Sequence, residues 1–209
     1  KDVLGLFKNR DYNLSVWGYA AYTFALGAMA HWGPSFLHRA HGMEVEKAAK
    51  FFGLVLVGAG LIGTMIGGFA ATAWQKRHRS GYAGTLALSM LFGAPAAWVA
   101  FTSPSQTSSM IALAIAMFCC FLGTGPINTL ILESAPAALR ASAMAGSIFV
   151  IHLFGDMWSP GIVGTLSDHW SSLSRALLIL PAVLLIAGAL WGFLAWCQHR
   201  TPKPLEEET

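Results

Sequence analysis

The stretch FFGLVLVGAGLIGTMIGGFAATAW, residues 51–74, contains no charged side chain. A helix needs about 20 predominantly apolar residues to cross roughly 30 Å of hydrocarbon. The whole chain of 209 residues is 55% hydrophobic and only 11% charged, and its apolar residues form long blocks. A soluble protein would need polar helix faces or alternating strands, and neither pattern is present. The sequence therefore predicts a polytopic helical membrane protein.

Six apolar blocks of this kind follow one another along the chain. Short polar segments separate them, so consecutive helices are expected to be antiparallel neighbours. The sequence therefore predicts an all-α fold, a six-helix transmembrane bundle over residues 14–198. The predicted spans are Leu14–Phe36, Ala48–Trp74, Tyr82–Phe101, Met110–Leu132, Ala141–Leu166 and Leu173–Gln198.

The distribution of lysine and arginine predicts the orientation of the bundle. If both ends lie on one side, that side carries nine of the 13 basic residues, and the other carries Arg39, Lys47, Lys50 and Arg175. Cytoplasmic loops are enriched in such residues. We therefore expect an integral membrane protein of a bacterial inner (cell) membrane, with both ends of this segment in the cytoplasm. The net charge of +3 reflects this topology, and no nucleic-acid partner is expected.

Several kinds of chemistry lack the residues that they require. The three cysteines all fall inside predicted spans, and an odd number of them argues against a disulfide framework. His38 and His41 form an HxxH pair, but no acid or cysteine completes a metal-ligand set. There is no GxSxG motif and no pair of aspartates. We therefore expect no enzymatic activity, no metal and no cofactor.

The second span carries a stripe of glycines. Gly53, Gly60 and Gly67 recur every seven residues, and Gly63 with Gly67 forms a GxxxG motif. Small residues let two helix backbones approach closely inside a membrane. The stripe indicates either plain helix packing or a packing seam at a moving interface.

The loop after this stripe resembles a loop motif of the major facilitator superfamily. That motif has a glycine, an acidic residue about four positions later, and then basic residues. Gly68 matches the glycine, and Lys76, Arg77 and Arg79 match the basic part, but Thr72 occupies the acidic place. Since the acid normally holds the cytoplasmic gate through ion pairing, a gate here must be held differently.

The fourth predicted span contains helix-breaking residues near its middle. Gly123, Gly125 and Pro126 should bend or loosen the helix, because proline removes a backbone donor and clashes with the preceding turn. Such an interruption in a transporter often lies near the substrate pathway, although an ordinary kink gives the same pattern. Asn128 follows at lipid depth and could line a cavity or cross-link two helices.

An acid and a base flank the next turn. Glu133 and Arg140 stand with six residues between them, a spacing that also recurs in the same superfamily, and Pro136 prevents a continuous helix. The turn could fold Arg140 back onto Glu133. We therefore expect a cytoplasmic gate formed by Arg77, Glu133 and Arg140.

Asp156 is the only acid deep inside any of the six spans. It lies about 22 Å along the fifth helix from Ala141, at 1.5 Å per residue. A carboxylate at such depth should face protein or water. His152 lies one turn earlier on the same face. The two groups could exchange a proton in the physiological pH range, or they could form a neutral pair that joins helices.

Two longer stretches resemble the spinster branch of the major facilitator superfamily. They are GYAAYTFALGAMAHWGPSFLHRAHG, residues 18–42, and APAALRASAMAGSIFVIHLFGDMWSPGIVGTLSD, residues 135–168. With the second-span glycines, the resemblance extends from about Tyr12 to Leu194 and matches the carboxy-terminal six-helix half of a twelve-helix fold. It implies a cytoplasmic lead-in from a preceding half over residues 1–13 and a cytoplasmic tail over residues 199–209. Since the chain begins at Lys1 without methionine, we expect part of a longer polypeptide.

The resemblance implies a secondary transporter that moves a lipid-like or amphipathic substrate, such as a lysophospholipid or sphingolipid, by alternating access and with possible proton coupling. The implied partners are an amino-terminal six-helix half, the lipid-like substrate and membrane lipids. The two alternatives are a transporter-like membrane scaffold and a transporter of a non-lipid small molecule. Phe24, Phe118 and Phe149 would suit an acyl chain. The expected substrate or proton pathway is lined by Tyr19, Tyr22, Thr23, Asn128, His152 and Asp156.

Overall fold

The computed structural model describes residues 3–200, with side chains from residue 5 onward. The rest of the predicted lead-in and of the predicted tail lies outside the described residues. The described chain is helical from end to end, apart from short turns. Its helices are α1 (Val3–Leu6), α2 (Arg10–His41), α3 (Val45–Arg77), α4 (Gly81–Thr102), α5 (Gln106–Leu122), α6 (Thr124–Glu133), α7 (Arg140–Ile151), α8 (Ser159–His169), α9 (Leu173–Leu177) and α10 (Ile179–His199). A 3-10 turn (Ala137–Leu139) precedes α7, and a π turn (His152–Asp156) follows it.

Each predicted span coincides with a helical segment, so the predicted all-α class is confirmed. Among residues 3–200, five segments are long and apolar enough to cross a membrane. The sixth predicted span lies in α2, which has 32 residues but is not one of the five. Tyrosine, histidine and serine dilute the apolar character of α2. The five segments are Val45–Arg77, Gly81–Thr102, Gln106–Glu133, Ala137–His169 and Leu173–His199.

The central helix α2 has well-defined ends. The Asn9 side chain accepts hydrogen bonds from the backbone N–H groups of Asp11 at 2.9 Å and Tyr12 at 3.3 Å. At the other end, Gly42 adopts a left-handed conformation with φ of 67°, and its N–H group donates to the backbone carbonyl oxygens of His38 and Leu37 in the last turn. An asparagine before a helix and a left-handed glycine after it are favoured caps. These caps set the length of the helix on which the site is built.

The core brings α2 against α10 through a large aromatic residue. Trp191 is fully buried, and its indole N–H donates to the Ser15 carbonyl oxygen at 3.3 Å. Gly18 lies directly beneath the ring, so a Cβ at this position would collide with Trp191. The small residue therefore makes room for the large one.

The glycine stripe of α3 packs against the end of α5. A Cβ at Gly67 would collide with the backbone of Leu122, and a Cβ at Gly63 would lie 3.0 Å from the Cβ of Phe121. Gly53, in contrast, faces open space. The stripe thus forms a helix-packing seam over its second half. Whether the seam moves stays a prediction.

Three predicted spans are interrupted. The fourth span breaks at Gly123 between α5 and α6, which confirms the predicted interruption. The sixth span breaks at Leu178, three residues before Pro181, because proline disfavours a helical turn on its amino-terminal side. The fifth span is one continuous helical segment, Ala137–His169, but a π turn that was not predicted lies inside it between α7 and α8.

Candidate functional site

Side chains of α2 contact the fifth span at three points, on both sides of its interruption. The Tyr12 hydroxyl donates to the Ala143 carbonyl oxygen at 2.9 Å, where α7 begins. The Trp32 indole N–H donates to the Pro160 carbonyl oxygen at 2.9 Å, where α8 begins. Between them, the Thr23 hydroxyl oxygen lies 3.4 Å from the Ile151 carbonyl oxygen. The break between α7 and α8 is therefore tied to one continuous helix.

Two glycines bring the π turn against α2. A Cβ at Gly27 would lie 2.8 Å from the Cβ of Asp156, and a Cβ at Gly155 would collide with the Thr23 side chain. Such close approach is available only to residues without a side chain. These glycines therefore place Asp156 beside the middle of α2.

The π turn has a local cause in Pro160. Proline lacks an N–H group, so it cannot donate to the carbonyl of residue 156. The Ser159 hydroxyl takes this place and donates to the Asp156 carbonyl oxygen at 3.3 Å. One turn earlier, the Met157 N–H group donates to the His152 carbonyl oxygen at 3.3 Å, which is the five-residue spacing of a π-helix.

His152 and Asp156 form a contacting pair on this turn. The His152 Nδ1 atom lies 3.0 Å from each Asp156 carboxylate oxygen, which confirms the predicted contact. The two side chains are 61% and 38% exposed, respectively. Tyr19 lies near enough that the charge of Asp156 acts on its hydroxyl. The pair thus lies on the surface of the described bundle.

The other predicted pathway residues form a second, inner group. The Tyr22 and Thr124 hydroxyl oxygens lie 3.5 Å apart, and Tyr22 is buried. The Asn128 amide donates to the Thr124 carbonyl oxygen at 3.0 Å within its own helix. The Tyr19 and Tyr22 rings, with centroids 5.9 Å apart, connect this group to the His152–Asp156 pair. A role for either group in a pathway stays a prediction.

At the predicted cytoplasmic end of the bundle, the Glu133 side chain is hydrogen-bonded to a glutamine. The Gln75 side-chain nitrogen Nε2 donates to the Glu133 carboxylate at 3.4 Å, and the Gln75 side-chain oxygen Oε1 accepts from the Tyr82 backbone N–H group at 3.1 Å. The positive charges of Arg140 and Arg79 act on Glu133.

The expected direct clamp is not formed in this structure. In the described part of the chain, no ion pair within 4.0 Å joins Glu133 to Arg140. The Gln75 side chain is hydrogen-bonded to the Glu133 carboxylate instead, and Arg140 begins the separate helix α7. Arg79, which follows Arg77 in the same loop, also acts on Glu133 through its charge. A role for Arg77 at the gate stays a prediction.

An apolar groove of about 300 Å³ lies on another face of the same helices. The Trp17 and Phe154 rings approach with centroids 5.3 Å apart at its edge. Phe24 lines the groove, whereas Phe149 is exposed on the bundle surface and Phe118 is partly buried against the core. The remaining lining residues are Ala20, Ala21, Val183, Ile186 and Leu190.

Four contributors to these sites were missed in the sequence. Gln75, Thr124 and Ser159 act through side-chain hydrogen bonds that no motif marks. The π turn carried only a weak signal, which is the SPG triplet at residues 159–161.

Known proteins resemble this chain over most of its length, although no family model matches it. It is 31% identical over 191 residues to the probable sphingolipid transporter spinster homolog 3 of Arabidopsis thaliana, covering 91% of this chain and 37% of that protein. It is 33% identical over 192 residues to homolog 2 of the same plant, covering 92% and 39%. The sphingosine-1-phosphate transporter SPNS2 of Xenopus tropicalis is 28% identical over 215 residues, covering 90% and 42%. The chain thus spans about two fifths of the length of these relatives.

A solved structure has the same fold. A bacterial homolog to the human lysosomal transporter Spinster, in an inward-facing and unoccupied conformation, superposes with a TM-score of 0.82 at 18% identity, covering 97% of this chain and 52% of that chain. The inward-facing, occupied form gives 0.75 at 19% identity, covering 93% and 51%. The relatives named above are transporters, in agreement with the expectation of a non-enzyme. The predicted resemblance is therefore confirmed: this chain resembles the spinster transporters in sequence over most of its length, and it has the helical fold of a bacterial spinster homolog.

Proposed function

We propose that the chain is the carboxy-terminal six-helix half of a secondary transporter that moves a lipid-like amphipath by alternating access. Its coverage of 37% and 39% of two plant relatives, and of 52% of the bacterial transporter structure, supports the idea of a half. The names of the plant relatives support a sphingolipid or lysophospholipid as cargo. The proposed partner is an amino-terminal six-helix half.

The His152–Asp156 pair is the observation that carries this proposal. Both side chains are exposed on the bundle surface, at 61% and 38%. An aspartate at the bilayer centre costs roughly 2.5–3.5 kcal/mol on insertion scales, so it faces protein or water and not lipid. A second helix bundle packed across this face, with a water-filled cleft between the two bundles, would surround Asp156 with protein and water. Substrate sites of such transporters lie at the interface between repeats.

The same helix face suits an amphipathic cargo. Phe149 is 65% exposed and lies three residues before His152, which places the two side chains on neighbouring turns of one face. A polar headgroup can contact the His152–Asp156 pair while an acyl chain contacts Phe149. Tyr19, Thr23 and Asn128 complete the proposed wall, with Tyr22 behind it.

We assign proton binding to the same His152–Asp156 pair. His152 and Asp156 share a contact at 3.0 Å, and an imidazole beside a carboxylate can accept a proton and release it. Occupation of the cleft by a charged headgroup would change the field at both groups. This gives a physical route by which cargo binding and proton binding influence each other.

The proposed cytoplasmic gate surrounds Glu133. With both ends of this segment in the cytoplasm, Gln75, Arg79 and Arg140 hold the acid at the inner mouth, and Arg77 extends the basic surface. This arrangement replaces the acid that is absent at Thr72. Movement between inward-facing and outward-facing states would make and break these contacts.

Reconstitution tests the proposal. The chain is co-expressed with the amino-terminal half of a spinster relative, and uptake of fluorescent sphingosine 1-phosphate and lysophospholipid into proteoliposomes is measured. Saturable uptake that responds to a pH gradient is the expected result, and vesicles with either half alone provide the control. Stable assembly without uptake of any solute would favour the scaffold alternative. Uptake of only water-soluble solutes would favour the non-lipid alternative.

A further inference from the structure

A polar pocket of about 510 Å³ lies between the ends of α2 and α8 and the start of α9. This volume lies within the usual range of small-molecule sites, about 300–1,000 Å³. It lies beyond the His152–Asp156 pair, at the far end of α8, which is the end of the bundle opposite to Glu133. Its floor is apolar, because Phe36 and Leu173 are both buried. Its other lining residues are Arg39, Ala40, Ser167, Asp168, Ser171, Ser172 and Ser174.

Two opposite charges line this pocket without pairing. Within residues 3–200, no ion pair within 4.0 Å involves Arg39 or Asp168. The Arg39 guanidinium lies 5.8 Å from the centre of the Trp32 ring, and the Pro160 carbonyl fixes that ring. Arg39 is therefore positioned in advance. A planar guanidinium binds phosphate through two parallel hydrogen bonds.

Asp168 lies where a carboxylate is electrostatically unfavourable. It occupies the last turn of α8, and the carboxyl end of a helix carries partial negative charge. A cation beside Asp168 would relieve this repulsion. The pocket therefore presents a site for a negative group at Arg39 and a site for a positive group at Asp168.

Ser171, which also lines the pocket, has an unusual backbone conformation. Its φ of 49° is in the left-handed region, where helix ends usually carry glycine. The helix end has the matching hydrogen bonds, from the Ser172 N–H group to the Ser167 carbonyl at 3.0 Å and from the Ser171 N–H group to the Asp168 carbonyl at 3.3 Å. A serine held in a strained conformation is a pointer to function. Its hydroxyl is the feature that glycine would lack.

We propose that this pocket binds the zwitterionic phosphate–ammonium headgroup of a bilayer lipid. Arg39 and the serine hydroxyls hold the phosphate, Asp168 holds the ammonium, and Phe36 and Leu173 contact the first carbons of the lipid. The inference does not depend on transport, because it concerns a lipid bound at one end of the bundle and not the cargo between two halves.

Native mass spectrometry of the full chain in detergent tests this site, with phosphatidylethanolamine and phosphatidylglycerol as probes. The native chain is expected to retain phosphatidylethanolamine in preference to phosphatidylglycerol. Arg39→Gln and Asp168→Asn are each expected to weaken retention of phosphatidylethanolamine about tenfold, as the loss of a charge-assisted hydrogen bond would. The matched control is Arg175→Gln, which removes an exposed charge from the same end of the bundle but outside the pocket.

Ser171→Gly separates binding from folding. Glycine relieves the left-handed conformation, so the melting temperature should stay the same or rise while lipid retention falls. Added O-phosphoethanolamine tells whether the headgroup alone suffices. Displacement of the lipid supports recognition of the free headgroup, and failure to displace it supports recognition of the lipid-borne one. Equal retention of both lipids by the native chain, or stronger retention of phosphatidylglycerol by Asp168→Asn with no loss of phosphatidylethanolamine, would overturn the proposal.

Discussion

Gly27 of α2 lies directly against Asp156, so that a Cβ on the glycine would be 2.8 Å from the Cβ of the acid. The carboxylate is thus held beside the middle of α2 by the absence of a side chain. Its partner His152 lies on the outer side, 3.0 Å from the carboxylate. This arrangement links the packing of two helices to the position of the one deep acid.

The first prediction tests this contact. Gly27→Ala should displace Asp156 and destabilise the bundle by about 1–3 kcal/mol, since overpacking a tight helix contact has this cost. Thermal unfolding in detergent would show a lower melting temperature. Gly161→Ala is the matched control because nothing lies within 4 Å of a Cβ there. An equal effect of both substitutions would mean that the Gly27 contact is not tight.

The second prediction concerns the charge of Asp156. Asp156→Asn keeps the shape of the side chain but removes the carboxylate that contacts His152. Uptake by the reassembled transporter should fall about tenfold or more, and the remaining uptake should respond less to pH, while membrane insertion is unchanged.

Glu46→Gln is the control for Asp156→Asn, because Glu46 is an exposed acid that pairs with Lys50 at 2.6 Å at the start of α3. Normal uptake with an unchanged pH profile in Asp156→Asn would assign the pair a purely structural role.

Part of this organisation could be predicted from sequence because it depends on local composition. Apolar runs indicated six helical segments, of which five within residues 3–200 are long and apolar enough to cross a membrane. The four-residue spacing placed His152 beside Asp156. Gly123 marked a real break, since glycine and proline act on the backbone of their own helix.

The remainder depends on contacts between residues far apart in sequence. The burial of Tyr22 comes from packing against α6 and α10, which its own helix does not encode. The six-residue spacing of Glu133 and Arg140 suggested a direct pair, yet Gln75 from α3 occupies the carboxylate. The π turn arises from Pro160 together with tethers that come from α2.

The third prediction concerns the contacts around Glu133. Glu133→Gln should weaken the attraction of Arg140 and Arg79 and shift the reassembled transporter toward the inward-facing state. Site-specific cysteine crosslinking between the two halves would show less crosslinking at the cytoplasmic mouth and more at the opposite mouth.

Gln75→Leu should act in the same direction as Glu133→Gln, since it removes the amide that bridges Glu133 and the start of α4. Lys76→Gln is the control, because this exposed neighbour is not among the groups whose charges act on Glu133. Unchanged crosslinking at both mouths in the two test variants would exclude a gating role for this cluster.

The fourth prediction compares the two tethers of the fifth span. Tyr12→Phe removes the hydrogen bond to the Ala143 carbonyl, and Trp32→Phe removes the one to the Pro160 carbonyl. Each loss should reduce stability by about 1 kcal/mol, the usual net value of a hydrogen bond. The two variants should differ in lipid retention, because only Trp32 also positions Arg39, at 5.8 Å. Trp32→Phe should lower the melting temperature somewhat more than Tyr12→Phe, because the smaller ring also loses its packing against Gly164. We expect weaker phosphatidylethanolamine retention in Trp32→Phe alone. Equal retention in both variants would show that the indole ring does not position the guanidinium.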